Sequence, residues 1–438
     1  MLEKKVKSII LAAGKGTRMK SDIPKVLHNI FDKPLIAYIL DAVNKTGVIG
    51  ESFVITGHEA EAVESFISKG YKNIKCVRQI PQLGTGDAVK KAAPFLKDFD
   101  GCVIILNGDI PLITAETINS FIKFHENNHA DLTVMSAVFD NPKGFGRIIR
   151  DKNKRFTAIV EEKDAQPQEK AVKEINAGIY CLNWNTVSNA FEHLENSNAQ
   201  GEYYLTDIVK WAVNSNLNVQ AYILENNEEI FGINTKAHLA EAAKILNRRH
   251  LIELMEGGVQ IMDTETVFIS PDTEIGAGTL ILPNVYITGK NKIGKNCKIG
   301  PFSHIRGGAE IGNSVRIGNF VEIKNSAIKD NTNVSHLSYI GDSSLGAKVN
   351  IGAGTITANY NPISKVKSRT TIKDGANTGS NTVLIAPVIL NENASTGAGS
   401  VITKDIEADS LAVTRAPLKV IKGWVKSKLE QLKNSRGE

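Results

Sequence analysis

Between positions 275 and 323 an isoleucine stands at every sixth residue: Ile275, Ile281, Ile287, Ile293, Ile299, Ile305, Ile311, Ile317 and Ile323. A strict six fits neither the helical period of about 3.6 nor the strand period of about two. It predicts a chain wound round a triangular prism, with three hexapeptides per coil and the same inward position on every face. Gly276, Gly294, Gly300, Gly312 and Gly318 each follow one of these isoleucines, where such a chain must bend. The register slips by one residue after Ile323, resumes at Ile328, Val334 and Ile340, and slips again to Leu345 and Ile351. The expectation is a left-handed parallel β-helix over residues 259–416, no coil of which is stable without its neighbours.

Upstream the pattern changes. Short apolar or β-branched runs at Val6–Leu11, Phe53–Thr56, Cys102–Leu106 and Leu132–Ala137 alternate with helical stretches. This predicts an α/β domain over residues 1–234, a Rossmann-like open and mostly parallel sheet with helices on both faces. Residues 235–258 read as an amphipathic linker helix carrying Leu239, Ala243, Leu246 and Leu254, and ended by Gly257 and Gly258. Residues 417–438 form a basic tail.

Composition narrows the class. A length of 438 residues exceeds what one core usually serves. The net charge of +5 lies partly in the tail, so nucleic-acid binding is not expected. Cys76, Cys102, Cys181 and Cys297 are far apart and form no Cys-x-x-Cys pair, which fits a reducing compartment. No apolar run approaches the roughly 20 residues needed to span a bilayer, and the early lysines and glutamate do not make a signal-peptide core. The expected location is the cytoplasm, with no membrane insertion.

The first strand runs into Leu11-Ala12-Ala13-Gly14-Lys15-Gly16-Thr17-Arg18-Met19, followed by Pro24-Lys25. Two glycines let a loop turn backbone amides toward a phosphate at the start of the next helix, with Arg18 and Lys25 adding charge. The spacing is not that of a Walker A loop, and by itself the turn is equally compatible with a purely structural role. Asp109, after the strand Cys102–Leu106, falls at the carboxyl edge where open α/β sheets bind ligands. It suits a carboxylate holding Mg²⁺ against phosphate oxygens, or else a turn cap before Pro111. The loop Gln82-Leu83-Gly84-Thr85-Gly86 permits close approach of a base or sugar.

In the prism, Ser335-His336-Leu337-Ser338-Tyr339 sits beside a register slip, and a stretch from Asn359-Tyr360 to Ser368 leaves the repeat. A histidine at an interruption of a rigid solenoid can take up a proton near neutrality, which suits imidazole to general-base work. His336 is the candidate base. Arg306, Lys324 and Lys365 are cations distributed along the prism, as a sugar phosphate would need; the plainer reading is a solvated face.

Taken together, Leu11 to Lys25, Gln82 to Gly86, Gly108-Asp109, Gly144-Phe145-Gly146-Arg147 and Glu202-Tyr203-Tyr204-Leu205-Thr206-Asp207 resemble the sugar-nucleotide pyrophosphorylases. With the β-helix, nearly the whole chain resembles the bacterial bifunctional UDP-N-acetylglucosamine pyrophosphorylase/glucosamine-1-phosphate N-acetyltransferase family. The resemblance implies acetylation of glucosamine 1-phosphate by acetyl-coenzyme A, then UMP transfer from UTP to N-acetylglucosamine 1-phosphate, for cell-envelope precursors. It also implies a homotrimer joined through the β-helix.

By the same resemblance, Leu11, Ala12, Ala13, Gly14, Gln79, Gly84 and Thr85 hold uridine and Lys25 contacts phosphate. Gly146, Glu161, Asn176 and Asn234 meet the N-acetyl sugar or the ion, with Asp109 and Asn234 as the Mg²⁺ pair. Arg306, Lys324, Tyr339, Asn350 and Lys365 bind the amino-sugar phosphate. Asn359 and Tyr360 lie near the reacting amine and acetyl-coenzyme A, while Ala353, Ser380, Ala398 and Arg415 take coenzyme A. No local pattern marks Asn176 or Asn234.

The chain departs from the family in several places. The prism is about one coil shorter, between Ile287 and Ile299. Gly307-Gly308 follows Arg306 where Pro-Gly is usual. Thr378 and Thr396 stand at inward positions usually aliphatic, and Lys367–Thr371 is about two residues longer. Two other readings stay open: a nucleotidyltransferase with a structural or regulatory prism, and a non-catalytic subunit. A zinc-dependent prism would need a histidine trio, and its regular region offers only His304 and His336.

Overall fold

The computed structural model describes residues 6–436, which fall into two compact units, one ending at Leu246 and the other beginning at Asn247. The lysines and glutamate at the extreme N-terminus and the last two residues of the tail lie outside the described residues.

The first unit is built on nine strands: β1 (Val6–Leu11), β2 (Ile49–Thr56), β3 (Ile74–Arg78), β4 (Cys102–Asn107), β5 (Leu132–Val138), β6 (Arg147–Arg150), β7 (Phe156–Val160), β8 (Glu174–Asn183) and β9 (Val219–Ile223). Their order is β9-β5-β8-β4-β1-β2-β3, with β6 and β7 forming a hairpin beside β8. β1 lies parallel to both β2 and β4, while β8 runs antiparallel between β4 and β5. The sheet is therefore mixed. Ile9 and Ile10 on β1 are both fully buried, facing separate apolar clusters, because helices cover both faces. α1 (Leu35–Lys45), α2 (Ala60–Gly70), α3 (Thr85–Ala92), α4 (Ala115–Asn127) and α5 (Asp207–Asn214) supply that cover. The in-register pair of Leu11 with Asn107 brings the ends of β1 and β4 together at one edge.

α6 (Lys236–Glu256) is the expected linker helix, and it continues across the division. In the first unit Ala242 and Ile245 join a cluster with Ile30, Leu35, Leu112 and Ile233. In the second, Leu251 and Leu254 belong to the prism core, and the Asn247 side chain donates to Val267 O and accepts from Ile269 N (2.8 and 3.0 Å). Gly258, in the left-handed region at φ 91°, follows the helix end.

The second unit is the left-handed β-helix: three parallel sheets of six, eight and seven strands, in which strands pair three places along the chain as far as Ile356–Ala358 and Thr370–Ile372, each of which pairs with the strand two places on. Ile275 pairs with Ile293 and Ile293 with Ile311, a rise of eighteen residues per coil. The slips read from the sequence are coils of seventeen, since Ile311 pairs with Ile328 and Ile328 with Leu345. Leu345 then pairs with Ile372, because the stretch from Asn359 to Ser368 is extruded between them. Toward the C-terminal end hydroxyls enter the interior. Thr378 accepts from Gly352 N (2.9 Å) and lies 2.9 Å from the Thr355 hydroxyl; Thr396 accepts from Gly379 N (3.0 Å) and lies 2.9 Å from Thr382. Threonine at these inward positions leaves neither hydroxyl unpaired, so the prism keeps its form around them.

Ile317 is fully buried between Ile299 and Val334 of the adjacent coils. Ile317→Ala leaves a void between two levels, and is expected to cost about 2–5 kcal/mol. The check is a lower unfolding midpoint for the β-helix transition in the full-length chain.

At one corner of the prism Phe302, Phe320 and Leu337 stand one above another with φ of 55°, 55° and 50°, and all three are about half exposed or more. Bulky side chains rarely adopt that region, where asparagine and glycine are favoured. The tail forms α7 (Trp424–Arg436), exposed along its length in this single chain.

Candidate active sites

At the edge where β1 and β4 end, a cleft of about 510 Å³ is lined by Leu11, Ala12, Ala13, Gly14, Lys25, Gln79, Gly84, Thr85 and Asp109, together with Gln82, Asn107 and Glu202. The residues assigned to uridine and phosphate thus converge. The loop after β1 leads into a three-residue 3₁₀ turn, Thr17–Met19, rather than the helix expected there. A full helix dipole is therefore missing, and the positive charge near this loop comes from Lys25 and Arg18 instead. Gly16 has φ 59°, and the space a Cβ would need is filled by the Lys25 side chain.

The second loop is held from three sides. Gln79, almost wholly buried, donates to Gly84 O (2.9 Å) and to Asp87 (2.8 Å). Gln82 donates to Ala13 O (2.7 Å), tying the two loops together, a contact that the loop's own sequence does not reveal. The Thr85 hydroxyl accepts from Leu205 N (3.1 Å). Gly84 has φ 115°, and a Cβ there would lie 2.6 Å from Tyr203 O, so no larger residue fits without displacing that strand of chain.

At the mouth of the cleft the Lys25 ammonium is ion-paired with Asp109 and donates to Asn234 Oδ1 (3.2 Å), which also accepts from Arg18 (2.9 Å). Asp109 and Asn234 are therefore brought together around one lysine. Both offer hard oxygen donors, a set that suits Mg²⁺. Gly146, Glu161 and Asn176 form a second group beyond the cleft. Asn176 N donates to Gly146 O (2.9 Å) and its amide donates to Tyr180 Oη (2.8 Å). Burial raises the Glu161 carboxyl above its usual range, opposed by a hydrogen bond with Thr206. The Arg147 guanidinium, nearly fully buried, pairs with Glu162 at 2.7 Å and stiffens the turn carrying Gly146.

In the prism, His336 ends the strand Asn333–His336 with its side chain exposed. It begins a row along one corner: Gly354 N donates to His336 O, Asn381 N to Ala353 O and Gly399 N to Ser380 O. The row thus runs His336, Ala353, Ser380, Ala398, and Arg415 closes it by donating to Ala398 O (3.1 Å). Three small side chains thus follow the imidazole in succession along the corner. Asn350 lies on the strand that leads into this corner.

Arg306 and Lys324 pair in register on the next edge of the same face, with Tyr339 on a strand between the two edges. Arg306 is held by Glu322 (3.0 Å), and Gly308 adopts φ 84° and donates to Lys290 O (3.0 Å), so the Gly-Gly turn is fixed. Asn359, Tyr360 and Lys365 lie on the extruded stretch, whose ends are joined by Ser368 N donating to Asn359 O (2.8 Å). Asn359 and Tyr360 therefore stand on a different segment from the corner row of His336, Ala353, Ser380 and Ala398. The Asn359 amide donates to Asp342, which also accepts from Asn325 (2.5 Å). Sequence reasoning missed Asp342; a carboxylate at a left-handed corner looks like any other turn residue. Within one chain His336 and the cations occupy opposite edges of a face.

Among the described residues, the one convergent group of metal-ligand type is Cys102, His125 and Cys181 in the first unit's core. The His125 ring nitrogens already face Thr133 (2.8 Å) and Asn183 (3.2 Å), which makes this a satisfied core. No such group occurs in the prism among the described residues.

Residues 7–238 match the family described as Nucleotidyl transferase, and residues 292–325 match Bacterial transferase hexapeptide (six repeats). The chain is 42% identical to the Bifunctional protein GlmU of Fervidobacterium nodosum, over 98% of this chain and 99% of that one. It is 41% identical to the protein of that name from Pelobacter propionicus and 40% identical to that of Clostridioides difficile, in each case over 96% of this chain and 98% of the other. A putative glucose-1-phosphate thymidylyltransferase from Bacillus anthracis, solved in complex with a sucrose, aligns with TM-score 0.45 and 21% identity over 55% of this chain and 94% of its own.

Proposed function

The chain belongs to the bifunctional GlmU family, and from that premise we propose that it makes UDP-N-acetylglucosamine in two steps at two separate sites. The prism acetylates glucosamine 1-phosphate, and the α/β unit then joins N-acetylglucosamine 1-phosphate to UMP from UTP, releasing pyrophosphate. The observation that carries the two-step reading is the exposed imidazole of His336 at the head of the Ala353, Ser380 and Ala398 row.

In the first step the sugar amine attacks the thioester carbonyl as His336 Nε2 or Nδ1 takes its proton. The C–N bond forms, the C–S bond breaks and coenzyme A leaves. Arg306, Lys324, Tyr339, Asn350 and Lys365 bind the sugar phosphate, while Ala353, Ser380, Ala398 and Arg415 take coenzyme A. Asn359 and Tyr360 lie beside the amine, with Asp342 holding the Asn359 amide.

In the second step a phosphate oxygen of the sugar attacks the α-phosphorus of UTP in line, and the bond to the β-phosphate breaks. No covalent intermediate is required, since alignment and neutralisation of charge carry the reaction. Leu11, Ala12, Ala13, Gly14, Gln79, Gly84 and Thr85 seat the uridine, and Lys25 and Arg18 face the phosphates. Gly146, Glu161 and Asn176 meet the N-acetyl sugar. Asp109 and Asn234 would hold Mg²⁺, which when bound supplies positive charge against the triphosphate.

We further propose a homotrimer formed through the β-helix. The half-exposed column of Phe302, Phe320 and Leu337, beside His336, supports cover by a second copy. So does the placing of His336 and the cations on opposite edges, since a neighbour's edge can bring the two sets together. The substrates and the four free cysteines support a cytoplasmic location. No helix among the described residues is long and apolar enough to cross a membrane.

The test is to give the protein each sugar phosphate separately. Glucosamine 1-phosphate with acetyl-coenzyme A should release thiol, and N-acetylglucosamine 1-phosphate with UTP should release pyrophosphate. Pyrophosphate without thiol would leave a nucleotidyltransferase with a structural prism.

A further inference from the structure

The Lys25 ammonium sits between the two residues read as the ion pair. It is bonded to the Asp109 carboxylate and lies 3.2 Å from Asn234 Oδ1, and Arg18 donates to that same Asn234 oxygen at 2.9 Å. Lys25 and Asp109 are both mostly shielded from solvent, with side-chain exposures of 14% and 22%. One carboxylate oxygen of Asp109 and the amide oxygen of Asn234, which would meet a divalent cation, are thus already engaged by protein cations.

We propose that Lys25 is the resident counter-ion of this metal seat, so that a divalent cation enters only together with a triphosphate. The inference rests on the reading of Asp109 and Asn234 as the ion's ligands. A bare metal ion must displace the ammonium from its carboxylate and leave it beside a second positive charge, in a partly buried place where repulsion is weakly screened. A nucleotide changes both terms. Its phosphates give Lys25 and Arg18 another anion to face, and they bring further oxygens to the ion. Metal and nucleotide then bind cooperatively through one lysine that exchanges partners. The loop geometry allows the exchange, because the Lys25 stem packs over Gly16 while its charged end alone has to move.

The experiment uses the full-length protein and Mn²⁺ alone, followed by the electron paramagnetic resonance signal of the free ion, with no nucleotide present. Lys25→Gln is expected to bind Mn²⁺ at least about tenfold more tightly than the wild type, because an opposing unit charge is gone. Lys25→Arg, which keeps the charge, should stay near the wild-type affinity. Adding UTP should tighten Mn²⁺ binding strongly in the wild type and by a much smaller factor in Lys25→Gln. Equal or weaker Mn²⁺ binding by Lys25→Gln overturns the proposal, as does equal tightening in Lys25→Arg. Asp109→Asn separates the two levels of the argument. If it loses Mn²⁺ binding, the metal seat stands whatever the lysine does; if it binds as the wild type does, the assignment of the seat itself falls.

Discussion

Asp109→Asn is expected to lower pyrophosphate release by at least about 10³-fold, while thiol release from acetyl-coenzyme A stays within about twofold of the wild type. Asp109 follows β4 at the sheet edge, in the cleft lined by Leu11 to Gly14, and is the carboxylate that Lys25 grips. The change keeps the shape of the side chain and removes its charge, so the cleft loses its anionic ligand while its walls remain. An ion would then be held less firmly, and the negative charge of the phosphates in the transition state would lose the positive charge that ion supplies. Parallel assays of pyrophosphate and thiol on one preparation check the result. Loss of both activities together would argue against independent sites.

The reciprocal result is expected for His336→Ala. Thiol release should fall by about 10²–10⁴-fold, the usual contribution of a general base, and UTP-dependent pyrophosphate release should be unchanged. His336 lies at a strand end with its ring exposed, so truncation removes no core contact and should leave the unfolding midpoint near that of the wild type. A variant that keeps full acetyl transfer would remove the imidazole from the chemistry and leave the row of small residues without a catalytic purpose.

The parts of the molecule that could be read in advance are those set by neighbours in the chain. The six-residue isoleucine spacing gave the prism because each inward position repeats locally, and even the two slips mark real seventeen-residue coils. Leu11 to Gly14 and Asp109 were visible because a strand followed by a glycine loop or an acid leaves a short signature. Other features depend on contacts between distant segments. Asn234 reaches Lys25 from 209 residues away, and Asn176 is placed through Gly146 on a separate turn, so neither carries a local mark. The helix expected after Gly16 is only a 3₁₀ turn, since nothing in Thr17-Arg18-Met19 reveals that Gly16 and Lys20 both adopt left-handed backbone. Asp342 carries no local mark for the same reason, and Gln82 shows itself only as part of its loop: their partners, Asn359 and Ala13, lie on other loops or coils.

The corner row contributes one residue per level of the prism, and levels are spaced by the distance between hydrogen-bonded strands, about 4.8 Å. Position along it therefore comes in whole steps, like rungs, and the stretch from His336 to Ala398 spans three of them, roughly 14 Å. A ligand lying there is gauged against a fixed scale. Whole storeys removed toward the N-terminal end would shorten the tower without disturbing a single graduation above them.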